Sequence, residues 1–246
     1  MALNYSRLKF NSAMDAVKEK EITKNLNWLK ILSLEMLAIL VAFILSISVV
    51  IFFIKRIFFE NKTRFDSEVF VFLERYVNDG ATSFMQFFTF FGSQHFLVPA
   101  YLSLIFFYFL VRKQKWMGLR VTAVSVTSLL LMFGLKYLFL RPRPLTPLLK
   151  AVNGFSFPSG HAFMSFSFFG LLMYIIIKEV KHPVIRTFAF FLITTIILLV
   201  GFSRIYLRVH YASDVIAGFC MGFMWLVISL GLISFLENKK SSLPAI

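Results

Sequence analysis

Long apolar runs separated by short polar stretches dominate the pattern of this chain. A helix that crosses the hydrocarbon core of a bilayer needs about 20 mainly apolar residues, so runs of this length with few charges predict transmembrane helices. Six runs qualify, the shorter ones by including flanking residues: 31–54, 96–111, 121–140, 162–177, 187–202 and 215–235. The pattern therefore predicts an all-α fold, a polytopic membrane protein with six transmembrane helices.

The segment between the first two predicted spans has a different pattern. Apolar residues recur there at helical spacing, namely Phe65, Val69, Phe72, Leu73 and Tyr76. Charged residues face elsewhere, namely Arg64, Asp66, Glu68, Glu74 and Arg75. This pattern predicts an amphipathic helical segment in the outer, extracytoplasmic interface, although a connector helix packed on the bundle would carry the same stripe.

One membrane domain is the economical division of the chain. We expect it at 31–236, with the interfacial helical insertion at about 60–94, a cytoplasmic N-terminal segment at 1–30 and a cytoplasmic tail at 237–246. Within the last span, Gly218 and Gly222 are four residues apart. Such a pair of small residues predicts close packing, and a neighbouring span of the same bundle is favoured over a dimer interface.

Composition and charge support a membrane protein. Of the 246 residues 59% are hydrophobic, and the formal net charge is +14. A basic excess can indicate nucleic acid, anionic lipid or cytoplasmic loops, and no segment resembles a nucleic-acid-binding module. The single cysteine, Cys220, excludes an internal disulfide framework and leaves no Cys/His cluster with metal-ligand spacing.

The distribution of lysine and arginine predicts the orientation, because cytoplasmic loops carry most of these residues. The set assigned to the cytoplasm is Lys18, Lys20, Lys24, Lys30, Arg112, Lys113, Lys115, Arg120, Lys178, Lys181, Arg186, Lys239 and Lys240. Both termini are then cytoplasmic, and the loops near 55–95, 141–161 and 203–214 face outward. The last two outward loops also carry arginines, which the orientation rule does not explain, so we expect these to have a functional role.

The first polar cluster in an outward loop is GFSFPSGHA, residues 154–162. Ser159 and Gly160 stand where a helix cap belongs, so the free N–H groups and the positive dipole end of the next helix would face outward. Such an end can bind an anion. An ordinary N-cap explains this stretch equally simply, and for the stretch alone it is the favoured interpretation.

The second cluster, KYLFLRPRP, places Lys136 near the outer end of the third span and Arg143 just beyond it. A compact ammonium and a planar guanidinium make complementary contacts with phosphate, which is the expected ligand of such a pair. For Arg141, simple contact with lipid headgroups is the preferred interpretation.

The third cluster, SRIYLRVHYASD, places Arg204 at the end of the fifth span and His210 and Asp214 at the start of the sixth. A spacing of four stacks the imidazole and the carboxylate on one helix face. A carboxylate that accepts the Nδ1–H would leave Nε2 free as a nucleophile or base, although an interfacial ion pair is the commoner explanation of such a pair.

Topology decides between these interpretations, because all three clusters lie at membrane boundaries on the same predicted side. Histidines, cations and a helix N-terminus then meet in one outward pocket, without a carboxylate cluster that could hold a metal. The chemistry that this set predicts is metal-independent phosphoryl transfer.

The three clusters also resemble a known set of motifs, the signatures of the type 2 phosphatidic acid phosphatase (PAP2) superfamily. The matching positions are Lys136, Arg143 and Pro144; then Pro158, Ser159, Gly160 and His161; then Ser203, Arg204, His210 and Asp214. The resemblance covers about the C-terminal half of the chain. The six-span layout is similar to that of bacterial membrane members, including phosphatidylglycerophosphatase B-like enzymes and undecaprenyl pyrophosphate phosphatases. Ala212 stands where members often have proline.

The resemblance implies a role for each matched position. His210 would attack phosphorus and form a phosphohistidine, oriented by Asp214, and His161 would protonate the leaving oxygen and later activate water. The non-bridging oxygens would contact Lys136, Arg143 and Arg204, with the Ser159 hydroxyl and the Gly160 amide completing the cradle.

The expected function is an integral membrane lipid phosphatase without metal or cofactor, which acts at the outer face. Its partners would be a lipid phosphate and the bilayer, without nucleic acid or an obligate protein partner. Candidate substrates are undecaprenyl pyrophosphate, phosphatidylglycerol phosphate, phosphatidic acid and diacylglycerol pyrophosphate. A lipid phosphotransferase with the same site and a phosphate or lipid transporter are the alternatives; a vanadium haloperoxidase-like function is disfavoured by the membrane setting.

Overall fold

A computed structural model describes residues 34–149 and 153–241 of the chain, and the regular elements of these residues are all helical. The helices are α1 (Leu34–Phe59), α2 (Arg64–Glu74), α3 (Asp79–Phe90), α4 (Gln94–Phe106, continued by a π-helical turn Phe107–Val111), α5 (Lys115–Phe139), α6 (Gly160–Glu179), α7 (Pro183–Tyr206) and α8 (Ala212–Ser241). The all-α prediction is confirmed.

Within the described residues, six helical stretches are long and apolar enough to cross a membrane, which confirms the predicted number of spans. The second stretch, Asp79–Val111, starts well before the predicted position at 96. It does so because α3 runs almost directly into α4, and the bend between them keeps tight backbone bonds such as Ser93 N–H to Phe90 O at 2.9 Å. The predicted insertion at 60–94 therefore contains α2 and α3, and α3 also forms the first part of the second candidate span.

The chain divides into two compact units within α1, at residues 1–45 and 46–246. In the first unit, the structure describes only residues 34–45, which are helical. The predicted cytoplasmic segment at 1–30 lies outside the described residues, as do the last residues of the predicted tail, 242–246. All contacts discussed below belong to the second unit.

Helix α6 is the most buried candidate span, since half of the residues in its most apolar stretch lie inside the protein. It packs against α5, α7 and α8. The predicted close approach of the glycines in the last span is confirmed, since a Cβ atom on Gly218 would lie 2.8 Å from Ser159 O and one on Gly222 would lie 2.8 Å from Phe163 O. This packing brings the start of α8 beside the start of α6.

Arg120 corrects the predicted loop between the second and third spans. It was expected in a cytoplasmic loop, but α5 starts earlier, at Lys115, so that Arg120 lies within the helix and is only 6% exposed. Its guanidinium donates to Glu237 of α8 and to Ser234 Oγ at 3.3 Å. A buried charge is tolerated when it is paired and hydrogen-bonded, which explains why the arginine sits inside a span.

Candidate active site

The three polar clusters meet at one end of the bundle, around a cavity of about 570 Å³. Six of the eight predicted site residues line this cavity: Lys136, Arg143, Gly160, His161, Arg204 and His210. The other two, Ser159 and Asp214, are fully buried behind its wall. The predicted convergence of the clusters is therefore present in the fold.

Local chain geometry directs Lys136 and Arg143 to the cavity. Helix α5 ends at Phe139, and the next residue, Leu140, caps it in the left-handed conformation (φ 50°) with its N–H on Lys136 O at 3.0 Å. The ammonium of Lys136 donates to Phe155 O at 2.6 Å. The guanidinium of Arg143 donates to two further carbonyls, Gly154 O at 3.0 Å and Val209 O at 2.8 Å.

Arg204 lies in the last turn of α7 and is held in a similar way, by a neutral partner. Its Nη1 donates to Thr89 Oγ1 of α3 at 2.6 Å, and within the described residues its buried Nε has no partner. In the part of the chain that the structure describes, none of Lys136, Arg143 and Arg204 forms an ion pair. Three positive charges without carboxylate partners make the cavity a strong anion site.

His210 lies in the bend between α7 and α8 and not on α8, which starts only at Ala212. The prediction that His210 and Asp214 share a helix face is therefore wrong. The ring is 1% exposed, and its Nε2 lies 3.3 Å from Arg143 Nη1. Because a guanidinium can only donate, Nε2 must be the acceptor and Nδ1 carries the proton. This tautomer leaves Nε2 without a proton at the cavity, as a nucleophile requires, and its lone pair faces Arg143 in this structure.

The surroundings of His210 also favour its neutral form. Burial, and then the positive charges of Arg143, Arg204 and Lys136, hold the pKa of His210 well below its ordinary value of 6.5. Burial likewise lowers the pKa of Arg143, with Asp214 opposing the shift. An unprotonated imidazole among cations is the state in which it can attack an anion.

Ser156 connects His210 to Asp214, which sequence reasoning did not foresee. The expected direct bond is absent, since His210 Nδ1 and Asp214 Oδ2 are 3.6 Å apart, beyond hydrogen-bond range. The Ser156 hydroxyl donates to Asp214 Oδ2 at 2.5 Å and lies 3.3 Å from His210 Nδ1. The imidazole is thus oriented through a hydroxyl. The only sequence signal was an extra serine beside the PSGH residues.

Ser159 and Gly160 form the N-terminus of α6 at the cavity. The Ser159 side chain accepts a bond from Ala162 N at 3.5 Å, so it serves as the N-cap. Gly160 lines the cavity, and a Cβ atom there would approach Met132 Sδ to 3.2 Å and Lys136 Cε to 3.6 Å. His161 follows in the first turn. The positive end of α6 therefore adds to the field of the three cations.

Arg141 is not a headgroup contact as the sequence suggested. It is 4% exposed, and its two nitrogens pair with Asp214 Oδ1 at 2.5 Å and with Asp66 Oδ2 at 2.7 Å. Asp66 was expected on the polar face of α2, yet it is 2% exposed. Both predictions are wrong for the same reason: a carboxylate of α2 and one of α8 enclose the guanidinium between them.

The cavity extends away from its charged end along α4 and α5. The additional lining is mostly apolar, including Leu97, Val98, Tyr101, Leu102, Ile105, Val126, Leu129 and Phe133. Polar residues at the start of α4, among them Gln94 and His95, lie at the same cavity. One end of the cavity is therefore cationic and the rest is apolar. These two parts match the phosphate and the hydrocarbon tail of a lipid phosphate.

Residues 117–236 match the PAP2 superfamily. This chain carries a PAP2 superfamily domain. A curated relative is phosphatidylglycerophosphatase B of Bacillus subtilis, 33% identical over 140 residues, an alignment that covers 54% of this chain and 66% of that protein. The chain thus spans just under two thirds of that relative's length.

Two solved structures are also similar to this chain. The transmembrane PAP2-type phosphatidylglycerolphosphate phosphatase of Bacillus subtilis has a TM-score of 0.68 and 28% identity, with 78% of this chain and 96% of that chain covered. LpxE of Aquifex aeolicus has a TM-score of 0.47 and 28% identity, with 67% of this chain and 93% of that chain covered. The superfamily match and the first of these structures confirm the expected family and the six-helix fold class.

The PAP2 domain contains every predicted site residue, but not every residue that contacts them. Thr89, which contacts Arg204, precedes the matched range. Asp66 also precedes it and reaches the site indirectly, through Arg141, which pairs with Asp214. Among residues 34–149 and 153–241, no group of three or more His, Cys, Asp or Glu side chains is placed to hold a metal ion.

Proposed function

We propose that this PAP2 domain is an integral membrane lipid phosphatase that removes a terminal phosphate through a phosphohistidine on His210. The observation that carries the proposal is the cavity itself. Two histidines and three cations lie around one end, and none of these cations has an ion pair within the described residues. Apolar side chains of α4 and α5 line the rest. A phosphate at the cationic end would place its lipid tail along the apolar length.

In the first chemical step, His210 Nε2 attacks phosphorus as the bond from phosphorus to the lipid oxygen breaks. His161, whose protonated form the bound phosphate anion would stabilise, donates a proton to that oxygen. In the second step, His161 takes a proton from water, the water oxygen attacks phosphorus, and the bond to Nε2 breaks, which releases inorganic phosphate and restores both rings. His161 is suited to this exchange because it lines the same cavity as His210.

We expect the fixed positive charges to lower the activation barrier of phosphoryl transfer more than the covalent step on His210 does. Negative charge spreads over the non-bridging oxygens in the transition state, where Lys136, Arg143, Arg204 and the Gly160 amide converge. Because carbonyls and a hydroxyl hold these groups in place before substrate arrives, little reorganisation is needed. We place Ser159 as the cap of α6, which differs from the direct phosphate contact that the family resemblance implies.

The similarity to the Bacillus subtilis phosphatidylglycerolphosphate phosphatase makes phosphatidylglycerol phosphate the first substrate to test. Undecaprenyl pyrophosphate, phosphatidic acid and diacylglycerol pyrophosphate carry the same terminal phosphate on a lipid. The alternative lipid phosphotransferase would pass the same phosphohistidine to an acceptor lipid instead of water.

The experiment measures phosphate release by the detergent-purified protein from each of these lipids in EDTA, beside His210→Ala. We expect release that survives EDTA and is lost in the variant, since the reaction needs no metal and the variant lacks the nucleophile. Release that stops in EDTA would contradict metal independence. No release from any lipid by folded protein would reject the hydrolase, and labelled phosphate on an acceptor lipid or bound without turnover would then favour transfer or transport.

We also propose that the cavity opens on the extracytoplasmic side and that both termini are cytoplasmic, as the lysine and arginine distribution indicates. The single cysteine allows a direct test in a Cys220→Ser background. A membrane-impermeant maleimide should label Leu145→Cys, a position that is 96% exposed and two residues after Arg143, in intact cells. It should label Lys181→Cys, in the loop between α6 and α7, only after permeabilisation. The reverse pattern would invert the proposed orientation.

A further inference from the structure

Helix α2 buries a carboxylate while it leaves much of its apolar surface exposed. Asp66 is 2% exposed, whereas Phe65, Val71 and Phe72 are 45%, 68% and 51% exposed. Burial of a carboxylate is costly unless partners compensate it, so apolar packing alone does not explain why this side of α2 faces inward. The partners of Asp66 indicate what it does there.

Those partners are Ser213, at the start of α8, and Arg141, which itself contacts the start of α8. Asp66 Oδ1 accepts a bond from the Ser213 N–H at 2.9 Å, and Asp66 Oδ2 accepts from Ser213 Oγ at 2.7 Å and from Arg141 Nη2 at 2.7 Å. Ser213 directly precedes Asp214. The carboxylate of α2 therefore fixes both the first turn of α8 and the guanidinium that contacts Asp214.

Arg141 also contacts Ser213, Asp214 and the ring of Tyr211. Its Nη1 donates to Asp214 Oδ1 at 2.5 Å and to Ser213 Oγ at 2.9 Å, and its guanidinium carbon lies 4.1 Å from the centre of the Tyr211 ring. A planar fork can bridge two carboxylates, which a lysine cannot do in the same geometry. Asp66 thus determines where the fork points.

The position of Asp214 in turn depends on that fork. One of its oxygens binds Arg141, and the other accepts from Ser156 Oγ at 2.5 Å and from Tyr211 N at 2.9 Å. Ser156 then contacts His210 Nδ1. If Arg141 moved, the carboxylate would turn, and the hydroxyl that orients the imidazole would lose its acceptor.

We propose that Asp66 of α2 is a positioning residue for phosphoryl transfer, which acts through Arg141 on Asp214, Ser156 and finally the His210 ring. The inference rests on the proposed function. It extends the functional site beyond the PAP2 motifs to a helix outside the matched residues, and it assigns Arg141, between the motif positions, to orientation and not to substrate binding.

The test starts from Asp66→Asn in the full-length protein in detergent, with phosphatidylglycerol phosphate as substrate. The amide keeps an oxygen for the Ser213 N–H but removes the negative charge and turns a donor toward Arg141. We expect kcat to fall about 10- to 100-fold, the usual cost of losing a group that orients an active-site histidine, with KM within about threefold of wild type. Inhibition by vanadate, a phosphate mimic, should also stay within about threefold, because the cations that line the cavity are untouched.

The matched control is Glu68→Gln on the same helix. Glu68 pairs with Arg64 at 2.6 Å, and both side chains are exposed, at 61% and 89%. The control removes a carboxylate and an ion pair from α2 without touching Arg141. We expect its kcat to equal that of wild type, since exposed pairs contribute little. A kcat for Asp66→Asn equal to that of the control would overturn the proposal.

A double-variant cycle separates positioning from a purely structural role. If Asp66 acts through Arg141, then adding Asp66→Asn to Arg141→Met should lower kcat further by less than about threefold. The reason is that Arg141→Met has already removed the side chain that connects Asp66 to Asp214. Equal factors in both backgrounds would mean that Asp66 acts independently of Arg141, and the proposal would fail.

Arg141→Lys covers the case in which Asp66→Asn does not fold. It keeps the charge but cannot bridge both carboxylates, so kcat should fall while vanadate inhibition persists; wild-type kcat in this variant would contradict the proposal. Wild-type protein and His210→Ala are assayed together with these variants. Active wild type beside an inactive His210→Ala preserves the proposed function even when the Asp66 inference fails.

Discussion

The hydroxyl of Ser156 lies between His210 Nδ1, at 3.3 Å, and Asp214 Oδ2, at 2.5 Å. A serine in this position can accept from the ring and donate to the carboxylate at the same time, so it holds the tautomer that frees Nε2. At the residue scale, this side chain is the one on which the orientation of the proposed nucleophile depends most directly.

Replacing Ser156 by alanine should therefore lower kcat about 10- to 100-fold with little change in KM, because the imidazole loses its orienting partner but the phosphate-binding cations remain. Ser167→Ala is the matched control: Ser167 is also fully buried, but its hydroxyl donates to Phe163 O within α6. Steady-state measurements of kcat and KM for both variants test this prediction. Equal rates for the two variants would remove Ser156 from the mechanism.

The charge state of His210 provides a second prediction at this scale. Its pKa lies well below 6.5 because the ring is buried and faces Arg143, Arg204 and Lys136. A lowered pKa means that the neutral form persists as the pH falls below 6.5 and is lost only as the pH falls through the lower value. Arg143→Gln removes one cation, so it should raise the pKa toward 6.5.

Nitrogen NMR of histidine-labelled protein measures this directly, since the chain has only four histidines and the His210→Ala spectrum identifies the signal. The wild-type signal should show a proton on Nδ1 and should not titrate near pH 6.5. A ring that protonates at or above 6.5, or a proton on Nε2 in the neutral form, would be inconsistent with the proposed nucleophile.

At the scale of elements, the contact between α6 and α8 determines how the parts of the site meet. Gly218 and Gly222 of α8 lie against backbone atoms of α6, where a Cβ atom would come within 2.8 Å of Ser159 O or Phe163 O. Backbone cannot move aside as a flexible side chain can. The two helices must therefore separate if either glycine gains a side chain, and His161 would move away from His210.

We expect Gly218→Ala to lower the free energy of unfolding by about 1–3 kcal/mol through this overpacking. Gly231→Ala on the same helix is the control, since a Cβ atom there would meet nothing within 4 Å. The control should be neutral or stabilising by up to about 1 kcal/mol, because alanine favours helix over glycine. Unfolding in detergent compares the two, and an equal response would show that the contact between α6 and α8 is not tight.

The helices themselves were predictable because apolar run length alone identifies spans, and six were found. Their ends were less predictable. Arg120 shows why: a charge usually marks a loop, but its pairing with Glu237 on α8 keeps it inside α5. The start of the second span was missed for a related reason, since α3 mixes polar and apolar residues and so does not form an unbroken apolar run.

At the scale of the whole molecule, the sequence motifs located the groups that we propose to react but not the contacts that orient them. Lys136, Arg143, His161 and Arg204 were predictable because each needs only to reach the cavity from a helix end. The bridge through Ser156 and the pairing of Arg141 with Asp66 were not, since both depend on chain segments far apart in sequence meeting in the fold. His210 was wrongly expected on the helix and in direct contact with Asp214. Nothing in the sequence therefore indicated that a third residue, Ser156, would connect the two.

The central claim, that His210 carries the phosphoryl group, can be tested by trapping the intermediate. Purified protein would be mixed with a lipid substrate labelled in its terminal phosphate, quenched in alkali within the first turnover, and digested for mass spectrometry. The account predicts an alkali-stable, acid-labile phosphate on His210 that is absent from His210→Ala. Label on a different residue, or phosphate release by His210→Ala at the wild-type rate, would contradict it.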